Sequence, residues 1–440
     1  MPKCCRRCSV ALVLACLAPW LAGGQTAPGA KPLIAIVKST GLANPPRVEY
    51  SPRPLEQMAG PGNRNGESAA LPAYVRILGS PAQNSRTPGS PKPGRWSVQW
   101  QSPLPSAASA VMVGSDRVLV QRSGGWSLLR RNGEKIKDGI SGGVVITLDA
   151  SAGAFYALGA GNALQALALE NGELRFSIPL GFTEAFAWPL VWRDGKRIIA
   201  AGVETPMFSH NPQPPTESLF HVTEVASPLK LSPYKVLLSM TMHQNLEFKE
   251  SNMMPVASGS ILWAILPDLL IRTSSSQNID GAWSGSFRAI SASADESGWL
   301  HMVVATGEAP TDRELWVVTP DGRRTVRAKV PLSYGESKYP PTIGYDHRIY
   351  LVGPQTVAAF SPDGALLWES QPLGSIAGVS VTPDHRVVVA AGSEIVVLDS
   401  NGKTTQLAKL PSAARTCPVV TVEGEILVGT ETNVICLLPR

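Results

Sequence analysis

Between Tyr339 and Arg440 one alternation of apolar runs and polar breaks is written three times in succession. A β-branched run (Pro341-Thr342-Ile343, Gly378-Val379-Ser380-Val381, Pro418-Val419-Val420-Thr421-Val422) leads into a polar turn at Tyr345-Asp346-His347, Pro383-Asp384-His385 and Val422-Glu423-Gly424. A second run follows each turn, at Arg348 to Val352, Arg386 to Ala390 and Glu425 to Val428; a Gly comes next, and then a third run at Val357 to Phe360, Ile395 to Leu398 and Val434 to Leu437. Runs this short, rich in Val and Ile and broken by Gly, Asp and Asn, predict strands joined by tight turns.

With Asp346, Asp384 and Glu423 as markers the steps are 38 and 39 residues. A repeat of about forty residues made of strands predicts a β-propeller blade. Followed backwards, the markers are Ser115, Ser151, Asp194, Gly259, Glu296, Asp346, Asp384 and Glu423, at steps of 36, 43, 65, 37, 50, 38 and 39. Eight markers predict an all-β, eight-bladed propeller, with seven blades as the fallback if Asp194 to Gly259 is irregular. The two long steps contain inserted loops, Pro206 to Glu217 and Gly307 to Arg313; the first carries four prolines, which cannot donate to a sheet ladder. The eighth repeat stops after three strands, while Ser97-Val98-Gln99-Trp100-Gln101-Ser102-Pro103-Leu104 matches the end of the sixth, Leu366-Leu367-Trp368-Glu369-Ser370-Gln371-Pro372-Leu373. Arg95 to Gln101 is therefore expected to supply the missing outer strand of the last blade and to hide two sheet edges.

Ala359-Phe360-Ser361-Pro362-Asp363-Gly364-Ala365-Leu366-Leu367-Trp368 and Ala166 to Phe176 resemble the repeat of the pyrroloquinoline-quinone (PQQ)-like propellers, with Ala on the third strand, Gly in the turn and an aromatic residue four positions later. Asn132-Gly133 and Asn401-Gly402 match in part, because no aromatic follows. The resemblance covers 95–440. It implies eight blades, and it raises two functions. One is a quinoprotein dehydrogenase holding PQQ and Ca²⁺ over the central channel. The other is a non-enzymatic scaffold without a cofactor, as the propeller lipoprotein of the outer-membrane barrel-assembly machine is within this broad family.

Ahead of the repeats, Met1 to Arg7 is a basic head, Ser9 to Leu21 an apolar run broken only by Pro19, and Ala22-Gly23-Gly24 a small-residue site. This predicts a signal peptide over 1–24 and a secreted or periplasmic protein, the run being too short for a permanent anchor. Val13-Leu14-Ala15-Cys16 loosely resembles the box before a lipidated cysteine, so anchoring at Cys16 is the alternative. Residues 25–94, rich in Pro and Gly, read as a largely disordered tether in which Pro32 to Val37 and Leu71 to Leu78 form short strands or dock. The propeller occupies 95–440.

Of 440 residues 44% are hydrophobic and 17% charged, with 40 Gly and 38 Pro, which suits a turn-rich all-β protein. The net charge of +5 falls to +2 without Lys3, Arg6 and Arg7 of the leader, and no basic stripe argues for nucleic acid. Cys5-Arg6-Arg7-Cys8 lacks the His of a haem site and lies in the leader. Cys417 and Cys436 fall on the first and third strands of one blade, roughly 9 to 10 Å apart, beyond the ~7 Å that a disulfide spans. They are expected as two buried thiols.

Catalytic chemistry is scarcely written here. The family's enzymes carry a Cys-Cys pair beside the cofactor, and Cys4-Cys5 lies in the leader. Trp192, Trp263 and Trp299 would have to floor a quinone, but Trp in a blade is ordinarily a packing residue. Asp194, Asp295, Asp346 and Asp384 read as turn formers. His347 and His385 share one turn position without metal-ligand spacing, and Gly281-Ala282-Trp283-Ser284-Gly285 is not a nucleophile elbow. The expectation is a monomeric scaffold with a protein partner, no nucleic acid and no membrane span. Its first candidate contact is the long loop, with Thr205, Phe208, His210, Asn211, Gln213 and Glu217. The alternative is a PQQ/Ca²⁺ dehydrogenase or another enzyme at the channel mouth.

Overall fold

A strand that is apolar on both sides must be covered on both sides. In the computed structural model Ile349–Val352, Val387–Ala391 and Ile426–Gly429 are buried along their whole length. Leu366–Glu369 and Lys135–Ile140, fourth strands of their sheets, are exposed or half-buried. The model describes 85–439, apart from 115, 141–144, 150–152, 159–162, 180–183, 186–189, 193–196, 205–216, 227–234, 244–254, 259–260, 266–268, 274–278, 308, 310 and 336–338; ahead of Ser85 it describes only four short strands. The predicted leader, Cys16 and the Thr205, Phe208, His210, Asn211 and Gln213 loop lie outside the described residues.

Eight antiparallel sheets are present among the described residues. In chain order the first is Ala108–Val113, Arg117–Arg122, Gly125–Arg130 and Lys135–Ile140. The second is Val145–Asp149, Ala154–Leu158, Ala163–Ala168 and Leu174–Pro179. The third pairs Glu184–Ala185 and Leu190–Trp192 with Arg197–Glu204, then runs through Glu217–Ala226 and Lys235–His243. The fourth is Pro255–Ser258, Ile261–Ile265, Leu269–Thr273 and Ile279–Ser284. The fifth is Arg288–Ala294, Leu300–Ala305, Arg313–Val318 and Arg323–Lys329. The sixth is Thr342–Ile343, Ile349–Val352, Val357–Phe360 and Leu366–Glu369, and the seventh Ile376–Val381, Val387–Ala391, Glu394–Leu398 and Thr404–Lys409. The eighth has Val419–Val420, Ile426–Gly429 and Asn433–Pro439 from the end of the chain, and its fourth strand is Trp96–Pro103, with Cys436 opposite Trp100.

Hydrophobic burial runs between sheets. One cluster joins Met112 and Leu119 of the first sheet to Phe155 and Leu167 of the second; another joins Trp263 and Leu270 of the fourth to Met302 and Trp316 of the fifth. The fifth packs on the sixth, the sixth on the seventh, the seventh on the eighth, and the eighth on the first through Leu427, Cys436, Val113 and Val120. The first strand of the third sheet's main hairpin, Leu190–Trp192, touches the first strands of both the second and the fourth. Indole rings reinforce these seams, each from the fourth strand of one sheet onto a glycine in the next. Trp283 lies against Gly322, Trp368 against Gly402 and Trp100 against Gly133, where an added Cβ would stand 1.9 to 2.5 Å from a ring atom. These three glycines have φ of 84°, 77° and 86°, so they answer a left-handed turn and a close approach at once. Trp368 Nε1 also donates to Ser400 O, 2.8 Å away in the seventh sheet.

Four strands arise within the predicted tether. Ala35–Val37 pairs with Lys235–His243 and with Arg47–Glu49, Arg53–Pro54 adds parallel to Ile279–Ser284, and Glu56–Gln57 parallel to Arg323–Lys329. Ala35–Val37 falls in the Pro32 to Val37 patch expected to form a strand; the other three need no apolar side chains to pair on a sheet edge, so composition does not reveal them. The extra length of the 50-residue step is divided between the loop after Ala305 and a stretch with a single helical turn, Leu332–Gly335. Cys417 and Cys436 are buried thiols, and burial, with the nearby Glu425 carboxylate, pushes Cys436 up to about 12.

The seams predict two equivalent weak points. Gly402→Ala and Gly133→Ala each place a Cβ at a positive φ and against an indole. Each should lower unfolding stability by roughly 2 to 4 kcal/mol, measured as a shift in the urea midpoint. An unchanged midpoint in Gly133→Ala would contradict the seating of Trp100.

Candidate functional site

The first strand of each four-stranded sheet pairs on one side only, which leaves a row of backbone groups facing away from the sheet. At the sixth, seventh and eighth sheets part of this row is used by the segment Ser85 to Gly89. The amide of Val381 donates to Ser85 O (2.9 Å) and the amide of Thr87 to Val381 O (3.0 Å), a parallel bridge centred on Arg86. The Thr87 hydroxyl donates to Val420 O at 2.5 Å and accepts from Val420 N at 2.9 Å. Gly89 N reaches Val420 O at 3.3 Å, and Tyr345 Oη donates to Thr87 O at 3.0 Å. Pro91 O accepts from Arg386 Nη2 at 2.6 Å.

Arg86 is 3% exposed. Its Nε donates to Ile343 O and its Nη2 to Gly344 O, both at 2.6 Å, and its Cζ stands 4.8 Å from the centre of the Tyr345 ring. Nη1 lies 2.8 Å from Glu296 Oε2, held by charge and not by an aligned N–H. Two sheets, the fifth through Glu296 and the sixth through Ile343, Gly344 and Tyr345, thus converge on one guanidinium, whose planar fork matches two successive carbonyls. Burial raises the Tyr345 hydroxyl to about 12, opposed by the Arg86 charge and assisted by Glu296.

Around this contact the polar turns of successive sheets hold one another. Glu296 Oε1 is 3.7 Å from His347 Nδ1, and Asp346 Oδ2 is 3.6 Å from His385 Nδ1. Both histidines have φ of 62°, at a turn position that Gly298 and Gly424 fill in the fifth and eighth sheets. An L-residue in that region carries a cost of order 1 kcal/mol, so glycine is the conformationally neutral choice and each histidine brings an imidazole to the preceding carboxylate.

Asp295 and Asp346 behave as turn formers, whereas Asp384 meets side chains in a turn whose backbone is held by the Thr382 hydroxyl. Asp295 Oδ1 accepts from Ser297 N and Trp299 N while Oδ2 faces the buried His301 at 3.1 Å; Asp346 accepts from Arg348 N; Asp384 accepts from Thr382 Oγ1 and Arg386 Nε. Asp194 lies outside the described residues. Trp263 and Trp299 belong to inter-sheet cores. His347 and His385 each face a different carboxylate, and no cluster of three or more metal-ligating side chains occurs among the described residues. A hollow of about 430 Å³ lies elsewhere, lined by Ser286, Phe287, Arg288, Ala305, Thr306 and Gly307, and gathers no carboxylate, histidine or cysteine. Glu217 opens the strand Glu217–Ala226. The sequence reads Asn84 to Gly89 only as a polar stretch of the tether: the segment has no apolar pattern, and its one signal is an Arg-Thr pair ahead of Pro88-Gly89.

No protein-family model matches the chain, and no curated protein sequence does. Among solved structures it is similar to BamB from Moraxella catarrhalis, with 14% identity over 78% of this chain and 97% of that one, at a TM-score of 0.54. It is also similar to the quinohemoprotein alcohol dehydrogenase from Comamonas testosteroni, with 12% identity over 84% of this chain and 81% of that one, at a TM-score of 0.56. At this identity the likeness establishes the fold, a β-propeller.

Arg86→Ala strips a buried carboxylate of its guanidinium and should cost roughly 3 to 5 kcal/mol. Adding Glu296→Ala should recover part of that loss, giving a non-additive cycle in urea denaturation. Alkali should loosen the same region. Tyr345 ionises near 10.0 when unfolded and near 12 when folded, and burial raises Tyr334, Tyr339 and Tyr350 too. Their contribution is intact below pH 10 and is lost as pH climbs toward 12 and beyond, because the unfolded chain releases those protons first. Unfolding free energy followed from pH 8 to 11.5 should be flat and then fall.

Proposed function

We propose that this β-propeller is an exported, PQQ-like protein of eight blades, the last closed by Trp96–Pro103, that serves as a binding or assembly scaffold in the cell envelope or outside the cell. The observation that carries the non-enzymatic reading is the use made of the turn end of the sheets. There the chain's own Arg86 and Thr87 fill the space between the first strands, and the surrounding carboxylates are engaged by arginine, histidine or backbone amides. A quinone with its cation needs a flat floor and several converging oxygens left open, and the residues described at this end do not fit that need.

The outer strands support a protein partner. Val98, Leu174, Leu366 and Leu367 are 38%, 57%, 57% and 46% exposed on the fourth strands of three sheets. Rigid blades carrying variable connections are suited to such contacts, with the loop that includes Thr205, Phe208, His210, Asn211, Gln213 and Glu217 as the first contact to test. The basic head and apolar run before Gly24 support export, with lipidation at Cys16 as the alternative route to the envelope. Among the described residues no helix is long and apolar enough to cross a membrane.

The purified protein, titrated with PQQ at millimolar Ca²⁺, should show neither a saturable absorbance change nor a raised thermal midpoint; both together would establish the dehydrogenase reading instead. A tagged chain should retain a defined protein from envelope extract, and deleting 205–216 should abolish retention while leaving the thermal midpoint within about 2 °C. Retention unaffected by the deletion would move the contact to another surface.

A further inference from the structure

The segment that fills the turn end is seated in an unusual way for part of a core. Ser85, Arg86, Thr87, Pro88 and Gly89 include no large apolar side chain, and all but Pro88 are buried. The segment is held by strand-like backbone bonds to Val381 and Val420, by one guanidinium and by one hydroxyl. These are the means by which extended peptides are recognised on open strand edges: main-chain bonds hold the peptide and side-chain pockets select it. Beyond it Lys92, Pro93, Gly94 and Arg95 are exposed, so a Pro/Gly connection separates the segment from the closing strand Trp96–Pro103.

The receiving groups belong wholly to the sheets. The carbonyls of Ile343 and Gly344, the Glu296 carboxylate and the Tyr345 ring form a socket that a guanidinium fills with both fork edges and one face; an ammonium lacks the fork. One step along, both backbone groups of Val420 meet a single hydroxyl, so the position accepts Thr or Ser, and an apolar side chain would leave the Val420 amide without its acceptor. Emptied, this surface would hold a buried carboxylate and several orphaned backbone groups, which favours any replacement of like chemistry.

We propose that the turn end is an arginine-specific peptide site, occupied in this chain by its own Ser85 to Gly89 and able to take an extended peptide bearing the same Arg-Thr pair once that segment withdraws. The site is separate from the outer strands, and its occupancy does not depend on the partner proposed above.

The test uses the full chain with Arg86→Ala and Thr87→Ala, and a fluorescein-labelled peptide of the sequence 85–92. Anisotropy should show saturable binding to the variant. Binding to the unmodified chain should be at least about tenfold weaker, because the tethered segment competes at high effective concentration. Replacing the peptide's arginine by lysine, or adding Glu296→Gln to the protein, should each weaken binding at least about tenfold. A variant with native circular dichroism that ignores the peptide at millimolar concentration, or binds the lysine form equally, would overturn the proposal. Should the double variant not fold, Arg86→Ala alone provides the second measurement. Millimolar methylguanidinium should raise its thermal midpoint and leave that of the unmodified chain unchanged, and no rise would count against the socket. If neither variant folds, the segment is an obligate part of the core and not an exchangeable ligand, and the proposal fails.

Discussion

The structure rests on the inability of each sheet to cover itself. A four-stranded sheet of Val, Ile, Leu and Ala has two apolar faces, and only another such sheet offers the area and shape to bury them. The clusters that join Met112 to Phe155, Trp263 to Trp316 and Val388 to Ile435 are therefore the fold's main source of stability. They also explain why fourth strands such as Leu366–Glu369 tolerate water: they stand at the outer margin of each seam. The indole contacts onto Gly133, Gly322 and Gly402 extend the same logic outward, using the missing Cβ to bring one sheet's edge flat against the next.

Packing of this kind settles the faces and leaves the edges. Along first strands the unpaired backbone groups are met, in the sixth to eighth sheets, by Ser85 to Gly89; along the fourth strands of the fourth and fifth sheets they are met by Arg53–Pro54 and Glu56–Gln57. The N-terminal region thus completes hydrogen bonding that the repeats cannot complete alone. Arg86 brings a charge into that arrangement, and a buried ion pair contributes more to specificity than to net stability. Its contact with Glu296, and that of Glu296 with His347, tie the turns of consecutive sheets into a single polar array.

The repeat was legible in the sequence because the side-chain period of a strand and the turn chemistry are local. Val387 to Ala390 or Ile426 to Val428 cannot be mistaken for a helix, and the likeness of Trp100 to Trp368 led to the strand that pairs with Asn433–Pro439. The chemistry of Asp295 and Asp346 as turn formers that accept from nearby backbone amides was legible for the same reason. The Arg86 site was not, since 257 residues separate Arg86 from Ile343 and nothing in either neighbourhood refers to the other.

What the sequence by itself determined is the unit: strand lengths, the roughly forty-residue step, the glycines at left-handed turns and the aromatic residue that follows them. What only the tertiary structure decided is the use of the polar N-terminal region, which composition had classed as a tether. Its contacts are made by backbone atoms, one guanidinium and one hydroxyl, and backbone hydrogen bonds are the same for every residue but proline. They leave no trace in hydrophobic patterning, and only the placement of an open strand edge determines where they form.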